Sequence, residues 1–217
     1  DKSWTTTTMS ADGTKMLAGA RNGRLYRSLD SGSTWLEVRP AGNLDKSWVS
    51  TSMSTDGTKL LAAVGNGRLY RSLDSGTTWA EVQPTENADK YWQTTSMSAD
   101  GTKLLAGNSL RLYRSLDSGT TWMEVQPAGN KIQKWKTTSM SADGTKMLAG
   151  ASGGRLYRSL DNGATWIEVQ PAGDVHKSWK STSISADGTK MLAGVYNGRL
   201  YRTLDSGATW TEVQPAG

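Results

Sequence analysis

The acidic side chains that could carry out chemistry recur along the chain instead of meeting once in a single pocket. One glutamate series occupies Glu37, Glu81, Glu124, Glu168 and Glu212. The single histidine, His176, stands where Asp1, Asp45 and Asp89 stand in other copies, and Glu86 lies in a loop without an acidic counterpart in the other units. A hydrolase needs a proton donor and a nucleophile or base together in one pocket. A metal site needs clustered ligands, and the chain has no cysteine. The pattern predicts a non-enzyme without metal or cofactor.

Two tryptophan series define the internal repeat on which these residues are carried. The first series is Trp4, Trp48, Trp92, Trp135 and Trp179, in steps of 44, 44, 43 and 44 residues. The second series is Trp35, Trp79, Trp122, Trp166 and Trp210, in steps of 44, 43, 44 and 44 residues. The repeats fill the chain, so we predict one domain over 1–217. Its units are approximately 1–44, 45–88, 89–131, 132–175 and 176–217.

Each unit has the pattern of four short strands joined by three tight turns. In the first unit the strands are predicted at about 4–10, 15–20, 24–29 and 34–38. Gly-containing turns separate them at Asp12-Gly13, Asn22-Gly23 and 30–33. Glycine adopts positive φ at low cost, and Asn-Gly and Asp-Gly favour tight hairpins. No stretch has helical periodicity, so each unit is predicted to be an antiparallel meander.

Five such meanders can bury their faces against one another by packing radially. We therefore predict an all-β, five-bladed β-propeller of four-stranded antiparallel blades. A β-solenoid is the alternative, but its repeats are usually shorter and lack three hairpin turns each. We expect a closed monomer in which blades one and five meet. Two alternatives stay open, namely a Trp4 strand that completes the last blade and open chains that pair into larger rings.

The third turn of every unit carries the same motif. The pattern S-x-D-x-G-x-T-W occurs at 28–35, 72–79, 115–122 and 159–166, and at 203–210 with Thr in place of Ser. It resembles the Asp-box, or BNR, repeat of sialidase-type propellers. In that family the motif is structural and lies away from the ligand site. The resemblance implies a structural role for Asp30, Gly32, Trp35, Asp74, Gly76, Trp79, Asp117, Gly119, Trp122, Asp161, Gly163, Trp166, Asp205, Gly207 and Trp210.

The same resemblance raises sialidase activity, which the rest of the sequence does not support. Sialidases commonly have six blades, an Arg-Ile-Pro signature and arginines at non-equivalent positions. This chain has five units and no such signature. Its arginines recur in series, at Arg24, Arg68, Arg111, Arg155 and Arg199 and again at Arg27, Arg71, Arg114, Arg158 and Arg202. Catalysis is therefore not predicted.

The loops between strands two and three, and between units, share one face and carry most of the differences between copies. Aromatic rings there could stack on sugar C–H faces while short polar groups bind hydroxyls. Several weak sites on one ring would gain avidity for clustered glycans. We predict a lectin-like site formed by Trp4, Trp48, Trp92, Trp135, Trp179, Lys2, Lys46, Lys90, Lys177, Asn22, Asn66 and Asn197. The alternatives are packing between blades for the tryptophans and solvation for the lysines.

Other functions stay open beside carbohydrate binding. The near-identical units also fit an engineered or recently duplicated scaffold without a selected ligand, or a protein-interaction platform. Glycans, glycoconjugates or a protein are therefore the expected partners. Nucleic-acid binding is not predicted, because acidic side chains offset most of the repeated lysines and arginines and leave a net charge of only +5. No apolar run approaches the roughly 18 residues of a membrane span, so no membrane insertion is expected. Secretion is implied only by the resemblance.

Overall fold

The computed structural model describes residues 1–85 and 87–214, and it is an all-β, five-bladed β-propeller. Glu86 and the last three residues of the predicted fifth unit, 215–217, lie outside the described residues. The predicted fold class is confirmed. Each blade is one four-stranded antiparallel sheet whose strands follow chain order, and no helix occurs in 1–85 or 87–214.

The strands of the five blades have nearly the same lengths. Blade 1 contains β1 (Trp4–Met9), β2 (Met16–Ala20), β3 (Leu25–Ser28) and β4 (Leu36–Val38). Blade 2 contains β5 (Trp48–Met53), β6 (Leu60–Val64), β7 (Leu69–Ser72) and β8 (Ala80–Val82). Blade 3 contains β9 (Trp92–Met97), β10 (Leu104–Asn108), β11 (Leu112–Ser115) and β12 (Met123–Val125). Blade 4 contains β13 (Trp135–Met140), β14 (Met147–Ala151), β15 (Leu156–Ser159) and β16 (Ile167–Val169). Blade 5 contains β17 (Trp179–Ile184), β18 (Met191–Val195), β19 (Leu200–Thr203) and β20 (Thr211–Val213).

Antiparallel pairing gives the propeller two different faces. In blade 1, Trp4 pairs with Ala20 and Leu25 pairs with Val38, so the β2–β3 loop and the connection to blade 2 lie at one end. We call that end the loop face. The β1–β2 and β3–β4 turns lie at the opposite end, which we call the turn face.

Consecutive blades pack through a tryptophan at the start of the inner strand. Trp48 is buried in one cluster with Leu17, Leu25 and Val38 of the preceding blade. Its indole Nε1 donates a hydrogen bond to the carbonyl of Gly23, over 3.2 Å. Clusters with the same layout join blade 2 to 3, 3 to 4 and 4 to 5. Four interfaces with the same apolar layout therefore hold the five blades in sequence.

A series of backbone hydrogen bonds also joins successive blades, at the residues that follow the first strand of each blade on the turn face. The amide of Ala11 donates to the carbonyl of Thr55, over 2.9 Å, and Thr55 donates to Ala99, over 2.7 Å. Ala99 donates to Ala142, over 2.7 Å, and Ala142 donates to Ala186, over 2.8 Å. Within the described residues the Ala186 amide does not donate to the Ala11 carbonyl, so this series of hydrogen bonds does not close into a ring.

The first and last blades do not form the interface that joins every other pair. Trp4 is 52% exposed, whereas its four counterparts are at most 2% exposed. On blade 5, Leu192 is 41% exposed, whereas Leu17 is 1% exposed. The prediction of a closed one-chain ring is therefore wrong for this structure. The reason is geometric, because four successive interfaces do not bring blade 5 round to blade 1. Each sheet is continuous in sequence, so the N-terminal strand does not complete the last blade.

This difference predicts unequal costs for two equivalent substitutions. Trp92→Ala should destabilise the protein by about 3–5 kcal/mol, because it removes a buried indole and leaves a cavity. Trp4→Ala should cost about 1 kcal/mol or less, because that indole is half exposed and lies edge-on to Tyr26 with no preceding blade to cover it. Urea unfolding of dilute protein measures both. Equal costs would contradict an open blade 1.

Candidate functional site

The third turn of each blade is organised around its aspartate, and we call it the aspartate turn. In blade 2, the Asp74 carboxylate accepts hydrogen bonds from the hydroxyls of Ser72 and Thr78, over 2.8 and 2.6 Å. It also accepts one from the Thr78 amide, over 2.8 Å. The Gly76 amide donates to Ser72 Oγ, and Trp79 Nε1 donates to the Gly76 carbonyl, over 2.8 and 3.0 Å. Both carboxylate oxygens are therefore occupied within the turn.

These contacts recur in all five blades. The other four carboxylates, Asp30, Asp117, Asp161 and Asp205, bind the same two neighbours in their own turns. The other four indoles, Trp35, Trp122, Trp166 and Trp210, donate to Gly32, Gly119, Gly163 and Gly207. The glycine in each turn has positive φ, 80° at Gly76, and so does the residue before it, 58° at Ser75.

The first turn of each blade uses the same device, which the sequence reasoning missed. The Asp56 carboxylate accepts hydrogen bonds from the Ser54 hydroxyl, over 2.6 Å, and from the Thr58 amide, over 3.0 Å. Lys15 of the preceding blade donates to the Asp56 carbonyl, over 2.8 Å. The signal was present as the pattern S-A-D-G-T at 10–14, 98–102, 141–145 and 185–189, and as S-T-D-G-T at 54–58. The turn face is therefore held by two aspartates per blade.

Hydrogen bonding keeps these carboxylates ionised. In the aspartate turns the largest cause is the threonine hydroxyl, which lowers the pKa to about 2 at Asp30, Asp74, Asp117 and Asp161. In the first turns the serine hydroxyl has this role and lowers the pKa to about 2 at Asp12, Asp56 and Asp143. Groups with such a low pKa cannot donate protons near neutral pH.

The predicted ligand-binding tryptophans do not share one environment. Trp48, Trp92, Trp135 and Trp179 are at most 2% exposed and lie between blades. A sugar cannot stack on them, so the prediction that they contact ligand is not compatible with the structure. The physical reason is the packing alternative, since each ring fills the space between two blades. Trp4 alone is open to solvent, and it lies edge-on to Tyr26 with ring centroids 5.5 Å apart.

The loop face of blade 1 contains a polar pocket of about 430 Å³. Two of the predicted site residues, Lys2 and Asn22, line it together with Arg24, Glu37 and Asp45. Arg24 Nε lies 2.8 Å from an Asp45 carboxylate oxygen and 3.9 Å from one of Glu37. The guanidinium is thus fixed between two carboxylates at the connection to the next blade.

The other blades have an arginine in the same position. Arg68 binds Asp89 and Glu81, over 2.8 and 3.7 Å. Arg155 binds Asp174 and Glu168, over 2.5 and 3.6 Å. Blades 3 and 5 have one carboxylate each, in the pairs Arg111–Glu124 (3.4 Å) and Arg199–Glu212 (2.8 Å). The loop face therefore presents an arginine–glutamate pair in all five blades, with a second carboxylate in blades 1, 2 and 4.

The other predicted site residues lie around these clusters. Lys2 Nζ is 5.2 Å from the Tyr26 ring centroid, and a hydrogen bond to Tyr26 raises the pKa of that lysine. The backbones of Lys46, Lys90 and Lys177 pair with Gly23, Gly67 and Gly154 of the preceding blades. The side chains of Asn22, Asn66 and Asn197 are exposed.

Aromatic side chains that the site prediction did not include stand out on the same face. Tyr91, before β9, is 61% exposed, and Tyr196, in the β18–β19 loop, is 63% exposed. Their sequence signal was their departure from the repeat, because other units have Ser or Lys at the Tyr91 position. The loop face therefore carries both ion-paired arginines and carboxylates, which can form hydrogen bonds, and exposed aromatic rings. Within the described residues no three His, Asp or Glu side chains are grouped to hold a metal.

Comparison with known proteins identifies relatives by fold alone. No protein-family model matches the chain, and no curated protein sequence matches it. An ancestral GH74 enzyme matches with TM-score 0.76 and 16% identity, over 96% of this chain and 32% of its own. The GH74 xyloglucanase from Xanthomonas campestris matches with TM-score 0.71 and 18% identity, over 96% and 38%. YCF48 bound to D1 peptide matches with TM-score 0.62 and 14% identity, over 97% and 80%.

These similarities support the propeller fold but no particular function. The chain spans about a third of the length of the GH74 enzymes that it matches. At such identities the fold does not carry an activity with it. Separately, the described part of the chain has no helix long and apolar enough to cross a membrane.

The aspartate turns should make the stability of the folded protein depend on pH. A carboxyl group whose pKa is lowered on folding stabilises the protein above its unfolded pKa of about 3.9. That stabilisation is lost as the pH falls through the folded pKa of about 2. Thr78→Val removes the largest cause at Asp74, so the pKa of Asp74 should rise towards its ordinary value while that of Asp117 stays near 2. Carboxyl carbon NMR titration measures both groups in one sample.

The same titration has an outcome that would contradict this account. If the Asp74 pKa in the unmodified protein lies near 3.9, the hydrogen bonds do not hold the carboxylate as described. Thermal unfolding provides a second check, since the melting temperature should change little between neutral pH and about 4 and fall between about 4 and 2.

Proposed function

We propose that the chain is an Asp-box-type propeller that binds carbohydrate on its loop face and does not catalyse. The observation that carries the proposal is the arginine–carboxylate cluster repeated on that face in every blade. The proposed site is centred on these clusters. It keeps Lys2, Asn22, Asn66 and Asn197 from the sequence prediction and replaces the four buried indoles with exposed tyrosines.

Sugar hydroxyls suit such a cluster because each can donate and accept hydrogen bonds. A guanidinium offers several donors in a fixed plane, and carboxylates accept strongly. Arg24 and Arg68 are already oriented by their acidic partners, so little side-chain entropy is lost on binding. Tyr91 and Tyr196 could supply apolar faces for stacking on sugar rings. Weak sites repeated around one rigid body favour clustered ligands over single sugars.

The non-catalytic part of the proposal follows from the pairing of the acids. Each loop-face glutamate in the series is within 4 Å of an arginine, as Glu81 is of Arg68, over 3.7 Å. A general acid needs a raised pKa, which a nearby cation opposes. At Glu37 the adjacent Arg39 lowers the pKa. The GH74 relatives are described as enzymes, but they are similar only at 16–18% identity.

A second candidate is a peptide or protein partner, favoured by apolar side chains in the connecting loops. Leu44 is 60% exposed and Ile132 is 63% exposed, and both lie just before an inner strand on the loop face. Together with Tyr91 and Tyr196 they could form the apolar centre of a protein interface. The YCF48 relative is described as bound to a peptide.

The test is a glycan array followed by calorimetry with the best-bound monovalent sugar. In the double variant Arg68→Ala and Arg155→Ala, the number of sugar sites per chain should fall by two. Lys190→Ala removes a positive charge from the turn-face end of blade 5, and it should leave that number unchanged. Circular dichroism checks that both variants are folded.

Two results would overturn the carbohydrate proposal. One is an array without binding by folded protein, and the other is an unchanged number of sites in the double arginine variant. If the array gives no binding but Leu44→Ser and Ile132→Ser together abolish capture of a peptide selected on the protein, the second candidate is supported instead.

A further inference from the structure

We propose that the exposed face of blade 5 docks onto the exposed face of blade 1 in a second copy of this chain, head to tail. The contact would be a fifth copy of the blade interface, formed between molecules. It is independent of the proposed carbohydrate site, because it uses the two end blades and not the arginine clusters.

The apolar parts of the two end faces are the two halves of the internal interfaces. Blade 1 presents Trp4 and Trp35, 52% and 46% exposed, where blade 2 buries Trp48 and partly buries Trp79. Blade 5 presents Leu192, at 41%, in the position of the buried Leu17. Leu200 and Val213 of blade 5 are likewise less buried than Leu25 and Val38 of blade 1. Each end therefore has the apolar residues that the other end lacks.

The shapes of the end faces agree with this pairing. Blade 1 has an apolar hollow of about 420 Å³ lined by Trp4, Ala18, Tyr26 and Trp35, among others. Blade 5 has an open hollow of about 600 Å³ lined by residues that include Gly198, Leu200 and Val213. In blade 1 the corresponding residues, Gly23, Leu25 and Val38, receive Trp48. Trp4 of a second copy would fill the blade 5 hollow and donate to the Gly198 carbonyl.

The polar groups at the two ends are also complementary. Inside the chain, Lys15 donates to the Asp56 carbonyl, over 2.8 Å, and Arg27 donates to the Ser75 carbonyl, over 2.7 Å. The same series continues through blade 4, where Lys146 reaches Asp187 and Arg158 reaches Ser206.

On blade 5 the next members of these series are exposed. They are Lys190 and Arg202. Their partners in a second copy would be the carbonyls of Asp12 and Ser31, beside the two blade 1 carboxylates Asp12 and Asp30. The two cations therefore face an acidic end of the other chain, which favours this orientation of docking.

A second copy is the occupant that fits these observations. The four internal interfaces hold blade 5 away from blade 1 of its own chain. A contact between two different patches on identical chains is heterologous, and it adds molecules head to tail until a ring closes. Large exposed apolar faces on a soluble protein mark such contacts.

The experiment is sedimentation velocity of the full chain over a wide range of concentration. The unmodified protein should have a mass above one chain that increases with concentration. Trp4→Glu, at one end, and Leu192→Glu, at the other, should each give the mass of one chain, because each blocks one half of the contact. Ile167→Glu is the matched control, since Ile167 is 55% exposed on an outer strand away from both ends. It should associate as the unmodified protein does.

A mixture of the two blocked variants tests the orientation. Trp4→Glu keeps its blade 5 face and Leu192→Glu keeps its blade 1 face. Mixed, they should form a complex with twice the mass of either variant alone and nothing larger. Circular dichroism verifies that each variant is folded.

Two outcomes would overturn the inference. In the first, the unmodified protein has the mass of one chain at every concentration, which is the result expected if the ring closes on itself. In the second, the unmodified protein associates but the two blocked variants do not combine, which would mean that like faces meet instead of unlike ones.

Discussion

The insertion of one tryptophan between each pair of successive blades is the contact on which the rest of the structure depends. Trp48, Trp92, Trp135 and Trp179 are nearly inaccessible, and each also packs edge-on against a tyrosine of its own blade, with ring centroids 5.6 to 5.8 Å apart. The chain has no phenylalanine. These indoles therefore supply much of the large apolar surface that drives folding. A four-stranded meander has no buried core of its own, so a blade is stabilised by its neighbours.

The two faces of the propeller follow different constraints. On the turn face, serine, aspartate and threonine bind one another within each turn, and lysine and arginine side chains reach the next blade. A change there disturbs both a turn and an interface, so the turn face is nearly identical in all copies. On the loop face the connections vary, as Tyr91 and Tyr196 show, around a repeated arginine. Selective binding is compatible with the second kind of face and much less with the first.

The sequence was enough to predict the blades, because a period of about 44 residues with three turn signals leaves few alternatives to a meander propeller. The fourth strand begins later than predicted, at Leu36 instead of Thr34, because the aspartate turn uses Thr34 and Trp35. Periodicity could not predict ring closure, since it identifies neighbours along the chain and not the rotation between them. For the same reason it could not distinguish Trp4 from Trp48, which have the same local sequence pattern but different neighbours in space.

Every internal pair of blades shares one apolar interface, which is missing between the two ends of a single chain. Backbone amide exchange of dilute one-chain protein, followed by NMR, tests this most directly. The Ala142 amide donates to the Ala186 carbonyl and should be strongly protected. The Ala186 amide occupies the same position in blade 5 but has no next blade to bind, so it should exchange rapidly. Equal protection of Ala142 and Ala186 would contradict the account and indicate a ring closed within one chain.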